Sequence, residues 1–386
     1  MINIKDKTLC SGCSACALKC PVKAISMVCD SEGFYYPCVD MSLCVDCGLC
    51  DRICPYIHSE KNNAENIKKS SVQKTFGAYN TDTKIREISS SGGIFSAIAR
   101  LIISRGGVVF GAAFDDKFGI FHTYVENEKD LPLIIGSKYA QSKIGNSYID
   151  AEKFLKSGRY VLFSGMACQI EGLKAYLDRE YENLITVDLI CMGVPSAMVW
   201  DKYLSAYFKG ENIKYINFKD KSIGWNRFCV RIDTDKRSFK EVGMKNYFMR
   251  CMFEALTLRP SCHSCPYKKV YRASDITLAD CWGAEKLVKN KMIDNKGLST
   301  VVVHTPKGLD TVDKIKTSIE ITETDFNRAV ENNNNMYSCV KANKMRGFFL
   351  WGIRRLSPKL MFRIFGSDFY SRLRRKLNRV LERIGL

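Results

Sequence analysis

Two stretches of the sequence repeat one arrangement of cysteines: Cys10, Cys13, Cys16 and Cys20 before Pro21, and Cys44, Cys47, Cys50 and Cys54 before Pro55. Both read C-x-x-C-x-x-C-x-x-x-C-P. Three thiolates one short loop apart can hold three irons of a cubane, while a fourth cysteine set before a chain-turning proline points to a second cluster. The expected ligand sets are therefore crossed. Cys10, Cys13, Cys16 and Cys54 would hold one 4Fe-4S cluster, and Cys44, Cys47, Cys50 and Cys20 the other. A zinc ribbon or a disulfide framework is the alternative, but zinc sites group their ligands in two pairs, which no spacing here does.

A run of this kind resembles that of bacterial two-cluster ferredoxins, so residues 1–58 are expected to form a small module of that type, with Phe34 to Pro37 as its apolar wall. Four more cysteines have suggestive positions. Cys168 (in VLFSGMACQ) and Cys191 (in DLICMGVPS) each follow a strand-like run, and Cys262 and Cys265 form a C-x-x-C inside RPSCHSCPYK. Loops beyond the carboxyl ends of parallel strands converge on one crevice, so these thiols could meet and ligate a third 4Fe-4S cluster. Ordinary burial is the competing explanation, because free cysteine is among the most buried residue types. Cys29, Cys38, Cys229, Cys251, Cys281 and Cys339 lack motif spacing and read as structural.

Two polar loops could receive a phosphate. Residues 89–95 (SSSGGIF) open a helix whose free N–H groups and dipole favour an anion, although a plain serine cap would look the same. In residues 136–142 (GSKYAQS), Lys138 could meet a phosphate and Tyr139 could stack on a ring. There is no G-x-G-x-x-G, so a Rossmann dinucleotide site is not supported.

The elements needed to position these groups follow from periodicity. Residues 59–73 are polar and read as a linker. From Thr75 onward, β-branched runs at 106–114, 159–164, 184–190, 275–279 and 300–304 alternate with helical stretches at 94–104, 151–156 and 168–177. Such alternation predicts an α/β domain over residues 74–330 with a partly parallel sheet. The length of 386 residues leaves room for two or three domains. Met1 leads into polar IKDK without a signal peptide, and no apolar run is long enough to span a bilayer. Cluster thiolates must be kept reduced, which places the chain in an oxygen-poor cytosol. Of the net charge of +18, a surplus of eleven lies in residues 341–386, and no nucleic-acid-binding pattern accompanies it, so nucleic acid is not expected as a partner.

Taken in order, SSSGGIF, GSKYAQS, FSGMACQIEGLKAYL, DLICMGVPS, RPSCHSCPYK, SDITLADCWG and DNKGLSTVVVHT resemble the beta-subunit family of coenzyme F₄₂₀ hydrogenases and dehydrogenases. The resemblance implies an FAD-containing iron–sulfur oxidoreductase working with ferredoxin or a redox partner subunit and a small-molecule hydride donor or acceptor. It makes Ser89, Ser91, Gly92, Gly93, Ser137, Lys138, Tyr139, Gln141 and Ser142 candidate FAD contacts, and Cys168, Cys191, Cys262 and Cys265 candidate ligands beside the flavin. It assigns no catalytic acid or base. Met166, Ala167, Met192 and Cys281 depart from the family pattern, which leaves the hydride partner open between a deazaflavin and another organic molecule. Similar proteins also occur in bacterial surface-polysaccharide biosynthesis. A carrier subunit without its own catalysis is the rival reading.

In the basic tail, Phe369, Tyr370, Leu373, Leu377, Val380, Leu381 and Ile384 recur at helical spacing among arginines and lysines. A basic amphipathic helix can lie on an anionic membrane, here its inner face. Packing on the protein's own core is the alternative.

Overall fold

The computed structural model describes residues 2–69 and 73–383, with side chains left out at Lys69 and residues 377–383. In the N-terminal module, β1 (Ile25–Cys29) and β2 (Tyr35–Val39) pair antiparallel with Ile25 opposite Val39. Two short helices, Ala15–Lys19 and Leu49–Arg52, sit inside the two cysteine runs.

The main sheet takes β3 (Lys74–Asn80), β4 (Val108–Phe114), β5 (Ile120–Val125), β6 (Val161–Met166) and β7 (Leu184–Leu189). After an antiparallel excursion through β8 (Ile213–Asp220), β9 (Cys229–Thr234) and β10 (Ser238–Val242), it is completed by β11 (Ile276–Asp280), β12 (Ser299–Val303) and β13 (Ile319–Thr324). Its order is β13-β3-β12-β11-β7-β6-β4-β5. The four central strands β11, β7, β6 and β4 run parallel, and the flanking pairs are antiparallel. This is the partly parallel α/β sheet expected.

Both faces of the centre are covered, which explains the continuous apolar runs. Side chains alternate across a strand. Accordingly Val109 and Leu162 join one core with Ile94, Ile98 and Ile102 of the helix Ile94–Ser104, whereas Val108, Phe110, Val161 and Phe163 join another. That second core contains the helices Ser147–Lys156 and Ala167–Leu177 and also Ala15 and Ile53 of the cysteine module. Each large side chain sealed there contributes about 1.5–3 kcal/mol. The module is thus built into the same core as the sheet.

Two expectations need correction. The polar stretch read as a linker is helical over Ser59–Lys69, and it is tied down by Asn66 Nδ2 donating to Glu171 (3.1 Å) and Lys269 Nζ donating to the Ser59 carbonyl (3.3 Å). Its polarity suits a surface helix whose contacts are hydrogen bonds. The tail forms three helices, Arg346–Arg355, Pro358–Phe365 and Asp368–Arg383. Most of the apolar residues of the first two are not free for a membrane, because Phe349, Leu350, Ile353, Met361, Phe362 and Phe365 fill a core with Trp200, Tyr203 and Phe248. The side chains of Leu377, Arg379, Val380, Leu381 and Arg383, and residue Ile384 altogether, lie outside the described residues. Among the described residues no helix is long and apolar enough to cross a membrane.

Candidate redox site

The two cysteine runs fold alike because they share a backbone pattern as well as ligand spacing. Gly12 and Ser14 have positive φ (72° and 67°), and so do Asp46 and Gly48 (46° and 68°) at the same offsets in the second run. Left-handed residues at these points wind each loop into a concave turn, a conformation that costs a non-glycine residue about 1–2 kcal/mol. The fold keeps the cost where the loops must curl.

The loops close on two pockets. Cys10, Cys13, Cys16 and Cys54 line the first, together with Ile2, Ile4, Met27 and Pro37. Cys20, Cys44, Cys47 and Cys50 line the second, together with Val22, Ala24, Ile25 and Val39. The last cysteine of each run faces the other run's pocket. Backbone N–H groups point at these sulfurs: Ile2 donates to Cys50 Sγ (3.2 Å) and Ala24 to Cys20 Sγ (3.3 Å). Burial pushes the Cys13 thiol up to about 12, aided by Cys10 and Cys54, and burial also raises Cys16 and Cys54. Clustered thiolates are therefore unfavourable by themselves and call for a polynuclear cation to offset them. Among the described residues no three ligands converge tightly enough for a single metal ion. Four thiols lining one pocket suit a cluster instead.

The second group also converges. Cys168 lies in the first turn of the helix after β6, Cys191 just beyond β7, and Cys262 in the turn Pro260–Ser264 with Cys265 directly after it. Burial raises all four, with Cys191, Cys262 and Cys265 at about 11, and Cys168 feels each of the other three. The Val194 N–H donates to Cys262 Sγ (3.3 Å). Cys339, read as structural, places its thiol against the Cys265 carbonyl (3.7 Å); no spacing in the sequence announces it.

It is the Cys10 pocket that abuts this group. Cys13 sits against Gly172 so closely that an added Cβ would lie 2.8 Å from its own Cβ, and its charge acts on Cys168. Tyr267 lies between them, in reach of Cys13, Cys168 and Cys54, with its ring edge-on to Tyr56 at 6.1 Å. On the far side the Cys44 pocket opens to solvent: Cys47, Leu43 and Val45 are exposed.

The polar loops meet each other next to the second group. The Ser137 N–H donates to Ser90 Oγ (2.7 Å), and Tyr139 feels Cys191 as well as the buried Lys219–Asp280 ion pair. Lys138 is half-buried; among the described residues its ammonium donates to the carbonyls of Ile135 (3.0 Å) and Gly136 (3.2 Å) and lies 5.6 Å from the Phe114 ring, and desolvation pushes it down to about 7. Gln141 accepts from Arg259 (3.0 Å), and Ser142 Oγ pairs with His122 Nδ1. His122, lowered to about 4 by burial, is a neutral partner. The first loop is more self-contained. Ser89 donates to Ile85 and Ser91 to Leu298, both backbone carbonyls. Gly92 is small because a Cβ would meet the Ala78 carbonyl at 2.5 Å, and Gly93 adopts φ +82° to cap its helix. Lys219 and His122 were not legible as site residues, since each sits alone in sequence, and Ser90 and Arg259 lie inside the SSSGGIF and RPSCHSCPYK runs without having been singled out.

Among known proteins, thirteen chains of solved structures match. One belongs to a xenon-derivatized F₄₂₀-reducing NiFe hydrogenase complex from Methanosarcina barkeri, at 18% identity over 64% of this chain and 81% of that chain, with a TM-score of 0.45. No curated protein matches. Residues 9–57 match the 4Fe-4S dicluster domain, and residues 158–329 match the family described as the C terminus of the coenzyme F₄₂₀ hydrogenase/dehydrogenase beta subunit. The chain therefore carries a stretch similar to the 4Fe-4S dicluster domain ahead of one similar to the C terminus of the coenzyme F₄₂₀ hydrogenase/dehydrogenase beta subunit.

Proposed function

We propose that this protein is an iron–sulfur flavoprotein oxidoreductase that connects a one-electron carrier at the Cys44 end with an organic hydride donor or acceptor at an FAD site beside Cys191. The observation that carries the reading is the sequence of three cysteine groups, from an exposed end at Cys47 to the half-buried loop of Lys138 and Tyr139. Cys10, Cys13, Cys16 with Cys54, Cys20, Cys44, Cys47 with Cys50, and Cys168, Cys191, Cys262 with Cys265 would hold three 4Fe-4S clusters. FAD, when bound, exchanges electron pairs with an organic molecule, whereas each cluster passes single electrons.

The residues around Lys138 fit such a group. A desolvated ammonium that among the described residues meets carbonyls and an aromatic ring but no carboxylate lacks a counter-anion, which a flavin diphosphate supplies. Ser137 and Ser90 add polar groups, and Tyr139 offers a ring. We expect Lys138→Met to weaken FAD binding by about 10- to 100-fold, the worth of a hydrogen bond to a charged group, about 1.5–3 kcal/mol. The apo protein should keep its stability, because the substitution removes a desolvated ammonium that has no carboxylate partner among the described residues. Fluorescence titration of apo protein with FAD reads the first and thermal melting the second. Unchanged affinity would remove Lys138 from the site.

Anaerobic purification with iron, sulfide and flavin quantitation tests the reading as a whole. The match to a beta-subunit family supports the second reading, a carrier that wires a partner enzyme. A protein with full iron that takes up no FAD on incubation is that carrier.

We also propose that the tail touches an anionic membrane. Its helices turn Phe348, Trp351, Leu360, Ile364, Phe369 and Leu373 outward, and Arg355, Lys359, Arg363, Arg372 and Lys376 are exposed beside them. Lys359, Leu360, Arg363 and Ile364 share one face of a helix whose other face is in the core. Aromatic and aliphatic groups among cations suit a headgroup layer, each basic residue adding about 1 kcal/mol. The full chain should sediment with phosphatidylserine vesicles at low salt and not with phosphatidylcholine vesicles. Leu360→Glu with Ile364→Glu should abolish the effect, and equal behaviour on both vesicles would assign this face to a protein partner.

A further inference from the structure

Arg259 is only 1% exposed, and its guanidinium is held by neutral acceptors. Its Nε donates to the Cys10 carbonyl (2.8 Å), Nη1 to Gln141 Oε1 (3.0 Å) and Nη2 to the Tyr35 carbonyl (2.9 Å). The guanidinium also lies over the rings of Tyr36 (4.2 Å) and Phe34 (5.5 Å). Among the described residues it has no carboxylate partner. The acidic residues of the module nearest in sequence, Asp30 and Glu32, are paired with Lys7 and Arg346. Arginine keeps its charge in any such setting, and a sealed charge without a counter-ion is costly.

The surroundings are shaped to hold the cation where it is. Gly12, in the loop between Cys10 and Cys13, has φ +72°, and a Cβ there would come within 2.8 Å of Arg259 Nη1. The Arg259 N–H donates to the Val194 carbonyl (2.9 Å), so its backbone is fixed beside the strand end that carries Cys191. The charge therefore sits between the Cys10 loop and the turn that carries Cys262. The second cysteine run has a formal counterpart: Arg52 Nη1 donates to the Cys47 carbonyl (2.8 Å). Arg52 is more open to solvent, so water and salt screen it, while nothing screens Arg259.

A 4Fe-4S cluster with four thiolates is anionic and becomes more so on taking up an electron. Net charge, hydrogen bonding and exposure set its potential. We propose that Arg259 is the built-in counter-charge of the Cys10 site, a positioning residue that holds the reduction potential there above that of the Cys44 site. This inference rests on the iron–sulfur reading above. Its consequence is direction. One electron delivered by a low-potential one-electron donor at the exposed Cys44 end moves inward to the Cys10 site, with no bond made or broken; the Cys44 cluster is reoxidised as the Cys10 cluster is reduced.

The test is a redox-poised EPR titration of the full chain, purified anaerobically, with the two signals assigned by Cys54→Ala and Cys20→Ala. Arg259→Gln should lower the reduction equilibrium of the Cys10 cluster by tenfold or more, about 59 mV for one electron, and leave the Cys44 cluster where it was. Arg259→Lys, which keeps the charge, should recover most of the shift. A purely structural arginine would change cluster content without moving the potential of the clusters that remain. Should Arg259→Gln fail to fold, Gln141→Glu provides the second arm: it keeps the hydrogen bond, neutralises the guanidinium, and should lower the same potential. Unmoved potentials in these variants, or equal shifts in both clusters, would overturn the inference while leaving the clusters in place. Wild-type protein without 4Fe-4S signals would instead remove the iron–sulfur reading itself.

Discussion

Cys54→Ala should strip at least one of the four irons from the cluster held by Cys10, Cys13 and Cys16, and leave the cluster of Cys44, Cys47 and Cys50 whole. Cys20→Ala should do the reverse. The reason is the shape of the module: Cys54 lines the Cys10 cavity, and Cys20 lines the Cys44 cavity. A cubane needs one thiolate per iron to remain intact, and the Cys10 cavity is otherwise walled by Ile2, Ile4, Met27 and Pro37, none of which replaces a thiolate. Iron analysis with EPR of the reduced protein reads the outcome. If Cys54→Ala damages the Cys44 cluster instead, the crossed pairing is wrong, and each run would bind its own four ligands.

A comparably large effect is expected from Arg272→Met, about 3–5 kcal/mol of lost stability. Arg272 and Asp188 are 3% and 1% exposed in their side chains and meet at 3.0 Å. Asp188 on β7 also accepts from Thr277 Oγ1 on β11, which pairs with His304 (2.8 Å) after β12. Arg272 donates onward to the carbonyls of Lys269, Leu189 and Met336. The pair thus ties three neighbouring strands to the segment that follows Cys265. Removing the guanidinium leaves a carboxylate sealed without a counter-charge, which is what makes breaking one partner so damaging. Arg272→Met with Asp188→Leu should be much milder than Arg272→Met alone. Anaerobic urea unfolding of the apo forms measures both, and a single-variant loss below about 1 kcal/mol would show that the pair contributes little net stability.

Much of the chemistry is legible in residue spacing. The doubled C-x-x-C-x-x-C-x-x-x-C-P run carries its cluster geometry locally, since three of four ligands fall in one loop. The strands are legible for a related reason: in a parallel sheet covered on both faces, runs such as the VLF that opens β6 are apolar throughout and stand out from their surroundings. The helix Ile94–Ser104 follows from residue spacing alone. The polar 59–73 stretch misleads because a surface helix held by hydrogen bonds leaves no apolar periodicity, so its composition resembles that of a linker.

What sequence determined by itself, then, is whatever is short-range: cysteine spacing, strand and helix periodicity, and the basic character of the tail. What only the tertiary structure decided depends on atoms far apart in the chain. Cys168, Cys191, Cys262 and Cys265 become one group because β6 and β7 are parallel neighbours and end at the same edge. Much of the tail's apolar surface belongs to the core, because the partners that bury it, Trp200, Tyr203 and Phe248, lie far away in the chain. Arg259 heads the RPSCHSCPYK run, but nothing in that run marks its partners. Its role comes from Cys10, Tyr35 and Gln141 closing around it, and an arginine in a sequence carries no record of which charges it will be sealed away from.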